Sequence, residues 1–291
     1  MIVNDDNKLR IDIYLANITD MSRSKIKNLI NDKKILVNGN SISANYKVRL
    51  NDKIDILEKE IDNIIEGEDI KINILYEDEY LAIINKESGM VVHPGAGNKN
   101  HTLVNALIYK YNFDTKDNIR PGIVHRLDKD TSGVMIIVKD EKLLDVISNM
   151  IKDKKVERKY IALVDGVIKN ESGTIKAPIG RDPNNRLKYI VTDINAKDAV
   201  THFKVLKRFN NKTLIECLLE TGRTHQIRVH LKYINHPIFN DPLYNKEFIN
   251  GFGQFLHSKS IKFIHPITKK ELYIECDIPN IMKEYINKDI K

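Results

Sequence analysis

From residue 72 onward the chain is written in short apolar runs with a two-residue period. In TLIECLLE, residues 213–220, Ile215, Cys217 and Leu219 alternate with Leu214, Glu216, Leu218 and Glu220, which predicts a strand with two unequal faces. Similar runs occur at 72–85, 134–140, 159–168, 202–209, 261–266 and 271–278, and helical spacing interrupts them at about 102–111, 141–152 and 225–235. Strands broken by irregularly placed helices predict an α+β fold with a mixed, mostly antiparallel central sheet flanked by helices, not a regular βαβ repeat. Residues 8–57 follow another plan. A helix at Arg10 to Ala16 is followed by one opening after Ser22, with Ile26, Leu29 and Ile30 at helical spacing. A strand at Ile35 to Val37, a tight turn at Asn38-Gly39 and a last strand in KIDIL complete this small α/β unit.

The acidic stretch EKEIDNIIEGEDIK, residues 58–71, separates the two patterns, giving a small domain at 8–60, a linker at 61–71 and a larger domain at 72–291. The 291 residues suffice for two cores, and no apolar run approaches the roughly 18 residues of a membrane span. The amino terminus lacks the apolar core of a signal peptide, so a cytoplasmic protein is expected. Cys217 and Cys276 lie in apolar strands without CxxC spacing and are expected as buried free thiols. The formal charge of +7 leans toward a polyanionic partner, and Arg10, Arg23, Lys25, Lys27, Lys33 and Lys34 crowd the helical part of the small domain.

The chemistry concentrates in PGIVHRLDKDTSGVMIIVKD, residues 121–140, where His125, Arg126, Asp128, Lys129 and Asp130 lie between two apolar runs. A carboxylate between apolar strand ends drifts toward protonation unless a cation sits beside it. Arg126 is one candidate. The better one lies in ETGRTHQIRVH, residues 220–230, where Gly222 permits a turn and Arg223 stands as a helix begins. Read by themselves, these residues are compatible with an ordinary Asx-turn loop as well as with an acid-centred site. His225 and His230 lack metal-site spacing, GxSxG is absent around Ser132, and no GxGxxG or GKS/T loop occurs.

GIVHRLDKDTSGVMIIVK resembles the signature of the RluA/RluD family of RNA pseudouridine synthases. The similarity continues through INKESGMVVHPGAGN, ERKYIALVDG, APIGRD, AVTHFKVLKRF, TGRTHQIRVHLKYINHPIFNDPLY and LHSKSIKFIHP, covering nearly all of 72–275. Glu87, Asn240 and Gly253 depart from the family's usual Pro, Gly and Arg. In the small domain RID, SRS, VNG and NDKI resemble the S4 RNA-binding domain, with Lys33 and Asn51 at two positions usually held by Gly. The resemblance implies isomerisation of uridine to pseudouridine in structured RNA, with large-subunit ribosomal RNA as the expected substrate; the reaction involves no redox change and so requires neither metal nor organic cofactor, and no long heptad or exposed apolar helix asks for an obligate protein partner. It implies Asp128 as the catalytic aspartate, Tyr160 as the tyrosine that stacks on uracil, Arg223 as the arginine paired with the carboxylate, and Arg126 as the side chain that enters the RNA stack. Arg23, Lys25 and Lys27 would meet phosphates. A catalytically silent RNA-binding or ribosome-assembly factor, and an N-glycosidic hydrolase, stand as alternatives.

Overall fold

The structure is a computed structural model that describes residues 1–4, 8–19, 21, 23–57, 65–95, 97–113, 120–246 and 251–288. The chain divides into two compact units, Met1–Asn63 and Ile64–Lys291.

In the first unit α1 (Ile11–Ile18) and α2 (Arg23–Asn31) precede β1 (Ile35–Val37), β2 (Asn40–Ser41) and β3 (Ile54–Ile56), which form a sheet in the order β2-β1-β3. Both helices and the hairpin stand where the apolar spacing puts them; the expected cap Ser22 lies outside the described residues. Ile11, Leu15, Ile26, Ile30, Ile35 and Ile54 close the core. Asn38 and Gly39 both have positive φ, as a two-residue hairpin turn demands. Lys33 (φ 58°) and Asn51 (φ 68°) adopt the left-handed backbone that glycine would take without strain.

The second unit is built on a nine-stranded sheet. Its strands are β4 (Asn73–Glu77), β5 (Leu81–Lys86), β6 (Ser132–Val138), β7 (Glu157–Asp165), β8 (Ser172–Lys176), β11 (Val200–Arg208), β12 (Lys212–Leu219), β13 (Leu256–Ile264) and β14 (Glu271–Glu275). They run β4-β5-β6-β13-β7-β12-β11-β8, with β14 on β13; β6 and β13 are parallel and the other pairs antiparallel. A separate hairpin joins β9 (Ile179–Arg181) to β10 (Tyr189–Val191), and helices α3 (Leu103–Tyr111), α4 (Leu144–Lys152), α5 (Gln226–Tyr233) and α6 (Asn280–Lys288) complete the unit. The α+β reading holds. The pattern missed β8, β9, β10 and α6. Their segments are short or lack a clean alternation of buried and exposed positions, as the half-exposed run Tyr189–Val191 illustrates.

The described part of the expected linker is not a free tether. Glu68 N–H donates to Asn105 O, and the Asn105 amide donates to Glu66 O, so residues 66–68 are bound to α3. In α3 itself Thr102 and Asn105 form a reciprocal cap. Among the described residues no helix is long and apolar enough to cross a membrane, and Cys217 and Cys276 are buried free thiols.

Candidate active site

Why the loop before β6 holds its shape follows from what its backbone meets. Gly133 has φ 113°, and a Cβ there would lie 2.2 Å from Ser258 O, so β6 can close on β13 only with glycine at this point. Just upstream, Thr131 N–H donates to Asp128 O at 3.1 Å and Gln254 Nε2 donates to Thr131 Oγ1 at 2.9 Å. The Lys86 ammonium is buried and spends its three protons on the carbonyls of Glu87, Met90 and Lys129, at 2.8, 2.9 and 2.9 Å. Burial lowers its pKa to about 7 against the pull of Asp130 and Asp128. His125 Nε2 accepts the Ile136 N–H at 2.9 Å, and burial keeps this imidazole neutral with a pKa of about 3. Apolar flanks and internal hydrogen bonds thus hold a charged loop rigid at a strand entrance.

The loop presents Asp128 to a cleft of about 360 Å³ whose lining includes Arg126, Tyr160, Gly222, Arg223, His225 and Arg228. Asp128 retains 16% side-chain exposure. Its cationic partner is Arg228, whose Nη1 donates to Asp128 Oδ2 at 2.8 Å. The same guanidinium places Nε and Nη2 on the two oxygens of Asp241, at 2.7 and 2.8 Å. Asp241 is fully buried, and its Oδ1 also accepts the Leu243 and Tyr244 N–H groups. One buried fork therefore bridges two carboxylates, one sealed in the core and one open to the cleft.

The expectation that Arg223 pairs with Asp128 is corrected. Arg223 sits in the turn before α5 with its N–H on Gln226 Oε1, and its exposed side chain runs to Asp198 O, at 2.9 Å in both cases. Five residues later, inside the helix, Arg228 is the side chain that faces the loop. Gln226 fixes this turn by also accepting from Thr221 Oγ1 and donating to Val200 O and Thr201 Oγ1. At the start of α5, His225 takes a left-handed backbone, φ 57°. Its Nδ1 lies 2.8 Å from the Tyr244 hydroxyl, which accepts the Tyr189 N–H, and its Nε2 faces Asp128 Oδ1 at 3.8 Å.

Burial alone would raise the Asp128 pKa, yet the nearby His225 and Arg228 hold it below the ordinary carboxylate value. Burial depresses His225 itself, so at neutral pH the permanent charge beside Asp128 belongs to Arg228. Tyr160, on β7, is 5% exposed, and burial raises its phenol above the usual value while Arg158 and Ser258 oppose the rise. Arg126 is exposed at the cleft, and its charge also favours the ionised Asp128 carboxylate, less than His225 and Arg228 do. The cleft thus holds an ionised carboxylate, a flat aromatic wall and a rim of arginines.

In the first unit, Arg23 and Lys27 are tied to the carboxylate of Asp12. Asp12 is fully buried. Arg10 Nε (3.0 Å), Arg23 Nη2 (2.9 Å) and Lys27 Nζ (3.8 Å) surround it, and Arg23 and Arg10 hold its pKa low against burial. Arg23 and Lys27 still expose 53% and 46% of their side chains, and Lys25 is exposed on the same helix.

Two further constellations bear on other chemistries. Ser132 Oγ lies 2.8 Å from His257 Nδ1 and His257 Nε2 lies 3.3 Å from Cys276 Sγ, but all three are buried and His257 is depressed to about 4, so this chain of contacts ties β6 to β13. His230 is committed to Thr201 Oγ1 and Ala177 O, and no cluster of three metal-ligating side chains occurs among the described residues. At Gly253, φ 87°, a Cβ would lie 2.4 Å from that of Asp130, and Asn240 with φ 58° donates to its carbonyl.

Residues 80–233 match the RNA pseudouridylate synthase family model and residues 9–54 match the S4 domain. The uncharacterized RNA pseudouridine synthase YlyB of Bacillus subtilis is 43% identical over 282 residues, covering 95% of this chain and 93% of that protein. A protein of Xanthomonas campestris named ribosomal large subunit pseudouridine synthase D is 36% identical, covering 96% and 88%. Among solved structures, human RNA pseudouridylate synthase domain containing 4 aligns with a TM-score of 0.59 at 25% identity, over 74% of this chain and 92% of that one.

Proposed function

Because this chain belongs to the RNA pseudouridylate synthase family and carries an S4 domain in front, we propose that it isomerises uridines of large-subunit ribosomal RNA, with Asp128 as the reacting carboxylate. The enzyme class, an RNA pseudouridine synthase, comes with the family. The choice of RNA is supported by relatives named ribosomal large subunit pseudouridine synthase D, at 36–38% identity over nearly the whole chain.

The observation that carries the reading of the site is the Asp128–Arg228–Asp241 bridge opening onto the cleft beside Tyr160. The reaction breaks the bond from N1 to C1′, forms one from C5 to C1′, and moves the C5 proton, with no net change in composition. An ionised, oriented carboxylate is the reagent needed whether it attacks C1′, adds to C6 or removes the C2′ proton. Arg228 supplies ionisation and aim at once. Tyr160 offers a wall for the uracil; in the resting cleft its phenol is protonated, so any proton it takes from C5 requires its own to leave first. Extruding the base costs a few kcal/mol, and in this reading Arg126, exposed at the cleft, fills the gap left in the stack. In the S4 unit Lys25 and the outward faces of Arg23 and Lys27 contact phosphates.

The test is to map pseudouridines in ribosomal RNA from cells lacking the gene, complemented with wild type or Asp128→Asn. Wild type restores the missing sites and the Asn form restores none. Full restoration by the Asn form, or no missing site in large-subunit RNA, refutes the reading.

A further inference from the structure

The cleft contains two buried arginines, and they are treated in opposite ways. Arg228 has two carboxylates. Arg158, on β7 two residues before Tyr160 and so on the same face of the strand, is 4% exposed and lines the same cleft. Its Nε is a buried donor without a hydrogen-bond partner, and among the described residues the guanidinium forms neither a hydrogen bond nor an ion pair. Its Nη1 faces the backbone of Gly222, where a Cβ would come within 3.0 Å. Leaving a buried cation uncompensated is costly, and a folded chain keeps one where a ligand completes it. The lining as a whole is cationic: Arg126, Lys152, Lys154, Arg158, Arg223 and Arg228 stand against Asp128 and Glu220. Lys154 already pairs with Glu220, and Arg228 with Asp128.

We propose that Arg158 is the phosphate seat of the cleft, gripping a backbone phosphodiester next to the extruded uridine. The proposal rests on the reading of this cleft as the place where the flipped nucleotide is held. A planar fork with free N–H donors suits a phosphodiester's two non-bridging oxygens. Set two positions from Tyr160, it grips the sugar-phosphate while the ring wall holds the base, so the nucleotide is fixed at two points during rotation of the uracil. Arg223, exposed at the cleft, meets the flanking strand.

The probe is large-subunit ribosomal RNA transcribed in vitro, with binding of the full chain measured across a KCl series and pseudouridine formation followed under single-turnover conditions. Arg158→Met is expected to weaken binding about tenfold. It is also expected to make the slope of log Kd against log salt shallower by about 0.7, one single-strand phosphate. The loss falls mainly on Kd and not on the rate at saturation, and the melting temperature does not drop, because an uncompensated charge has been removed. Arg158→Lys keeps the charge without the fork, so the slope stays and Kd rises about threefold; a Kd equal to that of wild type in this variant overturns the fork. An unchanged slope in the Met variant, or a fallen melting temperature with unchanged slope, overturns the proposal and makes Arg158 a packing residue. If wild type forms no pseudouridine in this RNA, the reading of the substrate fails first; if it does and the slope is unmoved, only the phosphate seat fails.

Discussion

Removing Arg228 should disable Asp128 in a pH-dependent way, whereas removing Arg223 should not. Arg228 holds two carboxylates, Asp128 at 2.8 Å and the fully buried Asp241 at 2.7 Å. Breaking a buried pair of this kind costs about 3–5 kcal/mol. In Arg228→Met, one escape is for a carboxylate to take up a proton; from a pKa of about 4 this costs about 4 kcal/mol at pH 7 and about 1.4 kcal/mol at pH 5. The variant is therefore destabilised more at pH 7 than at pH 5. The sign for wild type is opposite. The folded Asp128 pKa lies below its unfolded value, so its contribution is full above the unfolded pKa and is lost as pH falls through the folded one. In single-turnover assays, wild type should show no acid limb down to the ordinary carboxylate range. Arg228→Met should lose at least about 100-fold at pH 7, and its acid limb should move up by about 1–3 pH units. Arg223→Met should lose less than about tenfold, with the acid limb in place. A displaced limb in the Arg223 variant with none in Arg228→Met would refute the assignment.

Other substitutions test the supports. Arg23→Ala should strip Asp12 of its closest cation and lower the melting temperature of the first unit, which calorimetry checks, and Lys25→Ala should flatten the salt dependence of RNA binding, which a binding titration checks. Gly133→Ala should abolish soluble folded protein, because its Cβ would meet the Ser258 carbonyl at 2.2 Å with φ at 113°; recovery of a folded, active variant would show that β6 and β13 can part. Lys33→Gly relieves a left-handed backbone and should stabilise the first unit by up to about 1 kcal/mol in thermal unfolding.

How much of this was legible in the sequence depends on which physical signal each feature leaves. Helices α1 and α2 and strand β12 were readable because one face is buried and the other wet, so apolar spacing reports the period. The left-handed turn at Asn38-Gly39 was readable because few residue types take that backbone without strain. The requirement for a cation beside Asp128 was also readable, since electrostatics demands it. Which cation was not. Arg223 precedes a turn whose direction is set by Gln226, a contact to Val200 and Thr201 some 25 positions away that no local pattern reports. Periodicity gives no help within α5 either, because Gln226 through Leu231 are all buried. A different signal was present. Arg228 is flanked by Ile227 and Val229 with Leu231 beyond, and a helix apolar on that side can carry an arginine only by enclosing its counter-charges. Asp241, followed by Pro242 and Leu243, stands close enough in sequence to be one of them. Arg158, set between Val156 and the apolar run Tyr160–Val164, carries the same mark. Among the described residues no carboxylate lies on its guanidinium, and the RNA phosphate proposed above is the counter-charge.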